Sequence, residues 1–332
     1  MKAILMTATG GAEVLQIADI PMPELPGPSR IRVRLHAAGV NPVDTKLRKG
    51  GTYFPERMPA ILGCDGAGVV ERVGSEVTRF RPGDEVFFCN GGIGGEQGNY
   101  AEYTVIHEDY AAAKPRKLSM VEAAALPLVW ITAWESLLDQ AQLKAGESVL
   151  IHAAAGGVGH VAVQLAKSLG ARVAVTVSGP DKASFVRGLG ADKVIDYKAE
   201  DFVAAALDWT GGRGVDVVFD TVGGDTFCRS FAAARVYGRV VTLLQTACEA
   251  GDMKIARSRN QSIHYELMLT PMQLGMHQAR INQRKMLEVA TDLVETGKLK
   301  VEVSRILPLE QAEGAHRLIE AGHMSGKVVL EI

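Results

Sequence analysis

Three alanines and three glycines, Ala153-Ala154-Ala155-Gly156-Gly157-Val158-Gly159, follow the apolar run Ser148-Val149-Leu150-Ile151. The pattern predicts a strand ending in a tight turn that opens a helix, the arrangement that holds the pyrophosphate of a dinucleotide. Gly156 lets the backbone approach the phosphates and Gly159 lets the helix pack on the strand. The N–H groups of Ala155, Gly156, Gly157 and Val158, with the helix dipole behind them, suit negative charge. Ala154 takes the place of the first glycine of the usual pattern. Alone, such a string also suits a plain turn between strand and helix.

The cradle needs a sheet beneath it. Val161, Ala162, Leu165, Ala166 and Leu169 have helical spacing, Gly170 ends the helix, and 172–177 is an apolar strand. Further strands are expected at 194–197, 215–220, 240–244 and 263–269, with helical patterns between most of them. This alternation predicts an α/β fold with a doubly wound parallel sheet.

The same unit speaks to the nucleotide. An NAD site places an acid about 20 residues past the glycines to hold the ribose 2′-hydroxyl, whereas a 2′-phosphate needs room and a cation. Here that strand runs into Ser178-Gly179-Pro180-Asp181-Lys182. Ser178 and Gly179 leave room, Lys182 supplies charge, and Tyr197 after the next strand flanks the position, so NADPH is expected. On the plainer reading Lys182 is a solvated first-turn residue.

At 332 residues and 47% hydrophobic content the chain supports two cores. A net charge of -2 without a long basic run singles out neither nucleic acid nor an anionic membrane. No apolar run is long enough to span a bilayer, and the opening Met-Lys-Ala-Ile-Leu-Met-Thr reads as a strand rather than a secretory leader, so a cytoplasmic location is expected. Cys64, Cys89, Cys228 and Cys248 have no C-x-x-C spacing and are expected to be packing thiols. His152 and His264 are expected to be hydrogen-bonded interior or interface residues rather than ligands.

Before the nucleotide unit the texture changes. Residues 1–120 hold short β-like segments broken by Gly and Pro, at 30–37, 68–73 and 84–89, which suggests a barrel. Helical periodicity resumes at 120–125 and 131–138. After Pro271 a helix is expected over 282–295, a strand at 301–307, a helix at 309–321 and a strand at 327–331.

Over its whole length the sequence resembles the medium-chain dehydrogenases/reductases, and within them the zinc-free quinone oxidoreductase branch. The matching stretches are Ala38-Gly39-Val40-Asn41-Pro42-Val43-Asp44, Gly63-Cys64-Asp65-Gly66-Ala67-Gly68-Val69-Val70, Arg81-Pro82-Gly83-Asp84-Glu85-Val86, Tyr100-Ala101-Glu102-Tyr103, the turn at 153–159 and Gly326-Lys327-Val328-Val329-Leu330. The resemblance implies a GroES-like catalytic domain over 1–125, a Rossmann NADPH-binding domain over 126–268, a return to the first domain over 269–332, and an active site in the cleft between them. It also implies a homodimer formed through the last strand of the nucleotide sheet, at 261–269, with Ile263, Leu267 and Leu269 covered by pairing.

Zinc alcohol dehydrogenases of this superfamily carry a Cys ligand where this chain has Asn41, and a His-Glu pair where it has Cys64-Asp65. Catalytic zinc is therefore not expected, and the acceptor must already be polarised by conjugation: a quinone or an α,β-unsaturated carbonyl. By the same resemblance Asn41 and Asp44 line the cleft near the nicotinamide, Tyr53 overhangs the substrate, and Thr132 lies near the cofactor ring. Gln245 stands near the position of a lysine in fatty-acid-synthase enoyl reductases, and cannot donate a proton as that lysine could. Plainer readings stand beside these: Asn41 before Pro42 suits a turn, Asp44 caps a short helix, and Tyr53 is a loop aromatic. The alternatives are a 2-alkenal or enoyl-thioester reductase and, more distantly, a nonenzymatic nucleotide- or RNA-binding protein.

Overall fold

The computed structural model describes residues 1–322 and 324–332. In chain order the elements are β1 (Lys2–Met6), β2 (Leu15–Asp19), β3 (Arg30–Val40), α1 (Pro42–Gly50), β4 (Ala60–Ile61), β5 (Asp65–Val73), β6 (Glu85–Cys89), β7 (Tyr103–His107), β8 (Ala111–Ala113), α2 (Met120–Ala124) and α3 (Pro127–Trp134). Then come β9 (Ser148–Ile151), α4 (Gly157–Ser168), β10 (Arg172–Val177), α5 (Pro180–Gly188), β11 (Lys193–Asp196), α6 (Phe202–Trp209), β12 (Val215–Asp220), α7 (Gly224–Ala233), β13 (Ala234–Thr242), α8 (Ala250–Ser258) and β14 (Ser262–Tyr265). The chain continues through α9 (Thr270–Gln273), α10 (His277–Glu295), β15 (Val303–Pro308), α11 (Ala312–Ala321) and β16 (Lys327–Glu331). Two compact units result, one from residues 1–131 with 269–332, the other from 132–268.

In the first unit, β3 is the organising strand. Its alternation puts Ile31, Val33 and Leu35 inward, where they join Val70, Val86, Phe88 and Ile106 in one buried cluster. The seven-stranded sheet runs β15-β16-β3-β5-β6-β8, and β7 also pairs with β3. The late strand β16 lies antiparallel to the end of β3, Val328 opposite Val40 and Leu330 opposite Ala38. A separate sheet, β2-β1-β4, completes the strands of this unit.

The second unit is a six-stranded parallel sheet ordered β11-β10-β9-β12-β13-β14. Every residue of β9 and β12 is buried, as expected for strands covered on both faces, and this is why both read as mostly apolar, with Asp216 and Asp220 the buried exceptions in β12. The order reverses on either side of β9, so the crevice beyond its C-terminal end is the topological switch point where such sheets take ligands.

The strand expected at 240–244 is Ala234–Thr242, and three other expectations need correction. The strand read over 263–269 is only Ser262–Tyr265: the Glu266 N–H makes the last bond to β13, at Thr242 O, and Leu269 is buried away from any ladder. The helix read over 131–138 is α3 followed by a π-helical turn, Glu135–Gln140. Cys228 and Cys248 are not packing thiols but a disulfide, joining α7 to the segment ahead of α8, whereas Cys64 and Cys89 are free. His152 is interior and hydrogen-bonded as expected, to Thr176 Oγ1 at 3.1 Å and Ser230 Oγ at 3.0 Å, and burial pushes it down to about 4, so it stays neutral.

Candidate active site and cofactor cradle

At the end of β9 the chain turns through Ala153, which takes the left-handed conformation with φ 48°, so the residue in the strained position is Ala153 rather than Ala154. Gly156 then caps α4 with φ -76° and ψ 179°, a conformation open to any residue, and an added Cβ would meet only Ala153 O at 3.2 Å. The fold alone therefore does not demand glycine there. Gly159 differs: a Cβ would lie 2.6 Å from both Ala153 O and Ala154 Cα, so glycine lets α4 sit against the turn. Gly156, Gly157 and Val158 are half-buried, and Ala155 is buried beside them. The first-turn N–H groups of α4 have no acceptor within the helix and suit a phosphate.

Ser178, Gly179 and Lys182 gather at the N-terminus of α5. Gly179 has φ 86° and nothing within 4 Å of an added Cβ. Lys182 is half-exposed, and among the described residues it makes no hydrogen bond or ion pair. Tyr197 lies just past β11 and is 50% exposed. The sequence reading missed Asp196, whose carboxylate accepts from the Gly179 N–H at 3.1 Å and the Lys198 N–H at 3.0 Å and so is occupied by backbone donors. It also missed a cavity of about 460 Å³ beside the cradle, lined by His152, Thr176, Tyr197, Phe202, Val222 and Arg229 among others. These come from separate elements and share no local signal. Gln245 is exposed in the segment after β13, and Thr132 is buried on α3.

The remaining candidates lie in the first unit. Asn41 and Asp44 are fully buried, and the Asn41 N–H donates to Asp44 Oδ2 at 2.8 Å, so Asp44 does cap α1. The Asn41 amide is held at both ends. Lys327 Nζ donates to its Oδ1, and its Nδ2 donates to Asp65 Oδ2 at 2.9 Å. A donor-only cation on one side and an acceptor-only carboxylate on the other fix which end is oxygen. Asp65 also accepts from the Leu128 N–H at 2.8 Å and lies 3.7 Å from Lys327 Nζ. Tyr100 OH donates to Asp44 Oδ2 at 2.9 Å and lies 3.4 Å from His316 Nε2. Burial pushes the Asp44 carboxyl up to about 7 against these donors. Tyr53, 36% exposed, keeps its proton because burial raises its pKa, with Cys64 nearby adding to the rise. Of the three it alone presents surface. In the sequence Lys327 and Tyr100 stand only within motifs and Asp65 only where the zinc relatives carry a ligand, with no sign that the three meet.

The comparisons with known proteins agree along the whole chain. Residues 27–116 match the family described as the alcohol dehydrogenase GroES-like domain, and 189–330 the family described as zinc-binding dehydrogenase. A quinone oxidoreductase of Pseudomonas aeruginosa is 36% identical over 330 residues, 99% of each chain, and quinone oxidoreductase 1 of Escherichia coli K12 is 34% identical over 97% of this chain and 96% of its own. Among solved structures, an alcohol dehydrogenase superfamily protein from Novosphingobium aromaticivorans superposes with a TM-score of 0.92 at 34% identity, covering 100% of this chain and 99% of its own. The Escherichia coli quinone oxidoreductase complexed with NADPH gives 0.87 at 32%, covering 100% of both. A Rossmann sheet and a GroES-like unit define a medium-chain dehydrogenase/reductase, and the chain belongs to the quinone oxidoreductase branch of that superfamily.

The zinc in the second family's description does not fit this donor set. Among the described residues no three His, Cys, Asp or Glu side chains are placed to hold a metal. Lys327 occupies the Asn41 oxygen, and the hydrogen bond with Cys89, with burial, pushes the Cys64 thiol well above its ordinary range.

Proposed function

We propose that this chain is an NADPH-dependent reductase that acts on quinones or other α,β-unsaturated carbonyl compounds without catalytic zinc. The observation that carries the reading is the pairing of two features in the second unit: an open approach at Gly156, where the fold does not require glycine, and a Lys182 with no partner among the described residues beside the open space at Gly179. Bound NADPH supplies a hydride; the acceptor then needs a proton and stabilisation of the negative charge on its oxygen. Tyr53 donates a hydrogen bond to that oxygen, since it is protonated and exposed. Asn41 and Asp44 act from the buried network beneath, Asn41 as an oriented dipole and Asp44 as a carboxyl that holds a proton near neutral pH. Ser178, Lys182 and Tyr197 hold the 2′-phosphate, the turn 155–159 holds the pyrophosphate, and Thr132 and Gln245 face the nicotinamide end.

The test is NADPH oxidation against a panel of quinones, enals, enones and enoyl thioesters, in the presence of a chelator. Turnover of quinones or enones that resists the chelator supports the reading, with Tyr53→Phe slowing it about tenfold. Turnover that requires bound zinc, or reduction confined to enoyl thioesters, overturns it. Lys182→Ala should weaken NADPH by about ten- to a hundredfold, the roughly 1.5–3 kcal/mol of a charge-assisted bond to phosphate, with NADH nearly unchanged. Equal losses for both nucleotides would assign Lys182 to the fold instead.

The proposal extends to a cytoplasmic homodimer. Among the described residues no helix is long and apolar enough to cross a membrane. The free edge of β14 lies near exposed apolar side chains, Tyr237, Val236, Tyr265 and Leu267, a liability in water that pairing with a second copy would cover. Light scattering at micromolar concentration should give twice the chain mass, and recovery in the soluble cell fraction is expected. A monomer sinks the first statement and a membrane pellet the second.

A further inference from the structure

The segment 243–249 leaves β13 at the rim of the switch-point crevice and carries Gln245. Its start is well held: Thr242 Oγ1 donates to Asp220 Oδ2 at 2.7 Å, and the Leu243 N–H donates to Asp220 O at 3.2 Å. Beyond Leu244 the ties thin out. Thr246 Oγ1 accepts from the Gly224 N–H at 3.0 Å, and the next fixed point is the Cys228–Cys248 bridge. Gln245, Ala247 and Glu249 are exposed. The other end of the bridge stands on α7 between Thr226 and Arg229, both of which line the cavity beside the cradle. One covalent bond thus fixes the segment against the helix that forms a wall of the cavity beside the cradle.

We infer that Cys228 and Cys248 form a reversible redox latch on the cofactor site, closed as the disulfide and open as the dithiol. The inference rests on the proposed NADPH reading. Opening frees 245–249 from its anchor, so the segment must be ordered again when the nucleotide binds, and affinity falls by that ordering cost. The chemistry balances with reagents the proposed activity already involves. A quinone takes two electrons and two protons from the two thiols and leaves as hydroquinone, and the sulfurs join. A dithiol reverses the change, giving two electrons and two protons to the bridge and becoming a disulfide itself. Disulfides in reducing compartments are commonly transient and redox-sensing. A quinone load would in this way close the latch on the enzyme that removes it.

The experiment titrates NADPH into the oxidised protein, the same protein in dithiothreitol, and the Cys248→Ser variant. Alkylation and mass measurement count the free thiols in each. The oxidised protein should bind roughly five- to tenfold more tightly than the other two, which should match each other. Hydrogen exchange at 245–249 should be faster in the reduced and variant proteins whether or not nucleotide is present. Equal affinities, or four free thiols after treatment with a quinone, would overturn the latch. If no form binds NADPH, the cofactor reading fails on its own, and the exchange rates still decide the latch: faster exchange on reduction upholds it, and unchanged exchange removes it.

Discussion

Gly156→Ala should lose at least about a hundredfold in NADPH affinity, roughly 2.7 kcal/mol, while its melting temperature stays within a few degrees of the parent. The added methyl meets only Ala153 O, at 3.2 Å, and the backbone there has ordinary extended angles, so the fold absorbs the change. What the methyl occupies is the space through which a pyrophosphate would approach the N-terminus of α4. Gly159→Ala is the contrasting variant. Its methyl would sit 2.6 Å from backbone atoms of the turn, which cannot yield as a side chain can, and about 3 kcal/mol or more of stability should be lost. Titration calorimetry and thermal melts separate the two. A Gly156→Ala protein that binds NADPH like the parent would remove the cradle from the site.

Lys327→Met is expected to destabilise the protein by about 3–5 kcal/mol, the loss typical when one member of a buried pair is removed. Asp65 is fully buried and Lys327 nearly so. Burial pushes each toward its neutral form, and the charge of the other is what opposes the shift. Without the lysine, Asp65 keeps its bonds from Asn41 and Leu128 but loses its cation, and Asn41 Oδ1 loses its donor. Lys327→Met combined with Asp65→Asn should recover a large part of the loss, because no uncompensated charge is then left inside. Urea unfolding of the single and double variants reads this directly. A single variant as stable as the parent would mean that the pair contributes nothing net.

The centre of the second unit was largely legible in the sequence because β9, β10 and β12 are buried on both faces. Residues 172–177 and 215–220 were bounded correctly by their apolar runs, and the glycine turn between β9 and α4 announced itself by local chemistry. Legibility failed where partners are distant in sequence. Nothing near Cys228 points to Cys248, since the pairing depends on how α7 packs against the segment before α8. The strand at 263–269 was overextended because Leu267 and Leu269 continue an apolar pattern whose burial has a different origin: Leu267 is exposed, and Leu269 is covered outside the sheet. In the first unit Asn41 and Asp44 were found through motif resemblance. Their burial and their ties to Lys327 and Tyr100 were not visible, because a strand-end lysine reads as solvated until the register of β16 on β3 is known.

That register also sets a timetable. Lys327 is separated from Asn41 by 286 positions, and at about 5–20 residues per second a ribosome needs roughly 15–60 seconds to make the interval. Throughout that time the Ala37–Val40 end of β3 has β5 on one flank and no strand on the other. The parallel sheet, made from 148–265 within the same interval, can fold while the earlier strands still wait. A nascent chain therefore carries an open β-edge beside an Asp65 that has not yet met its cation, and this is the period in which edge-to-edge association or chaperone capture can compete with folding.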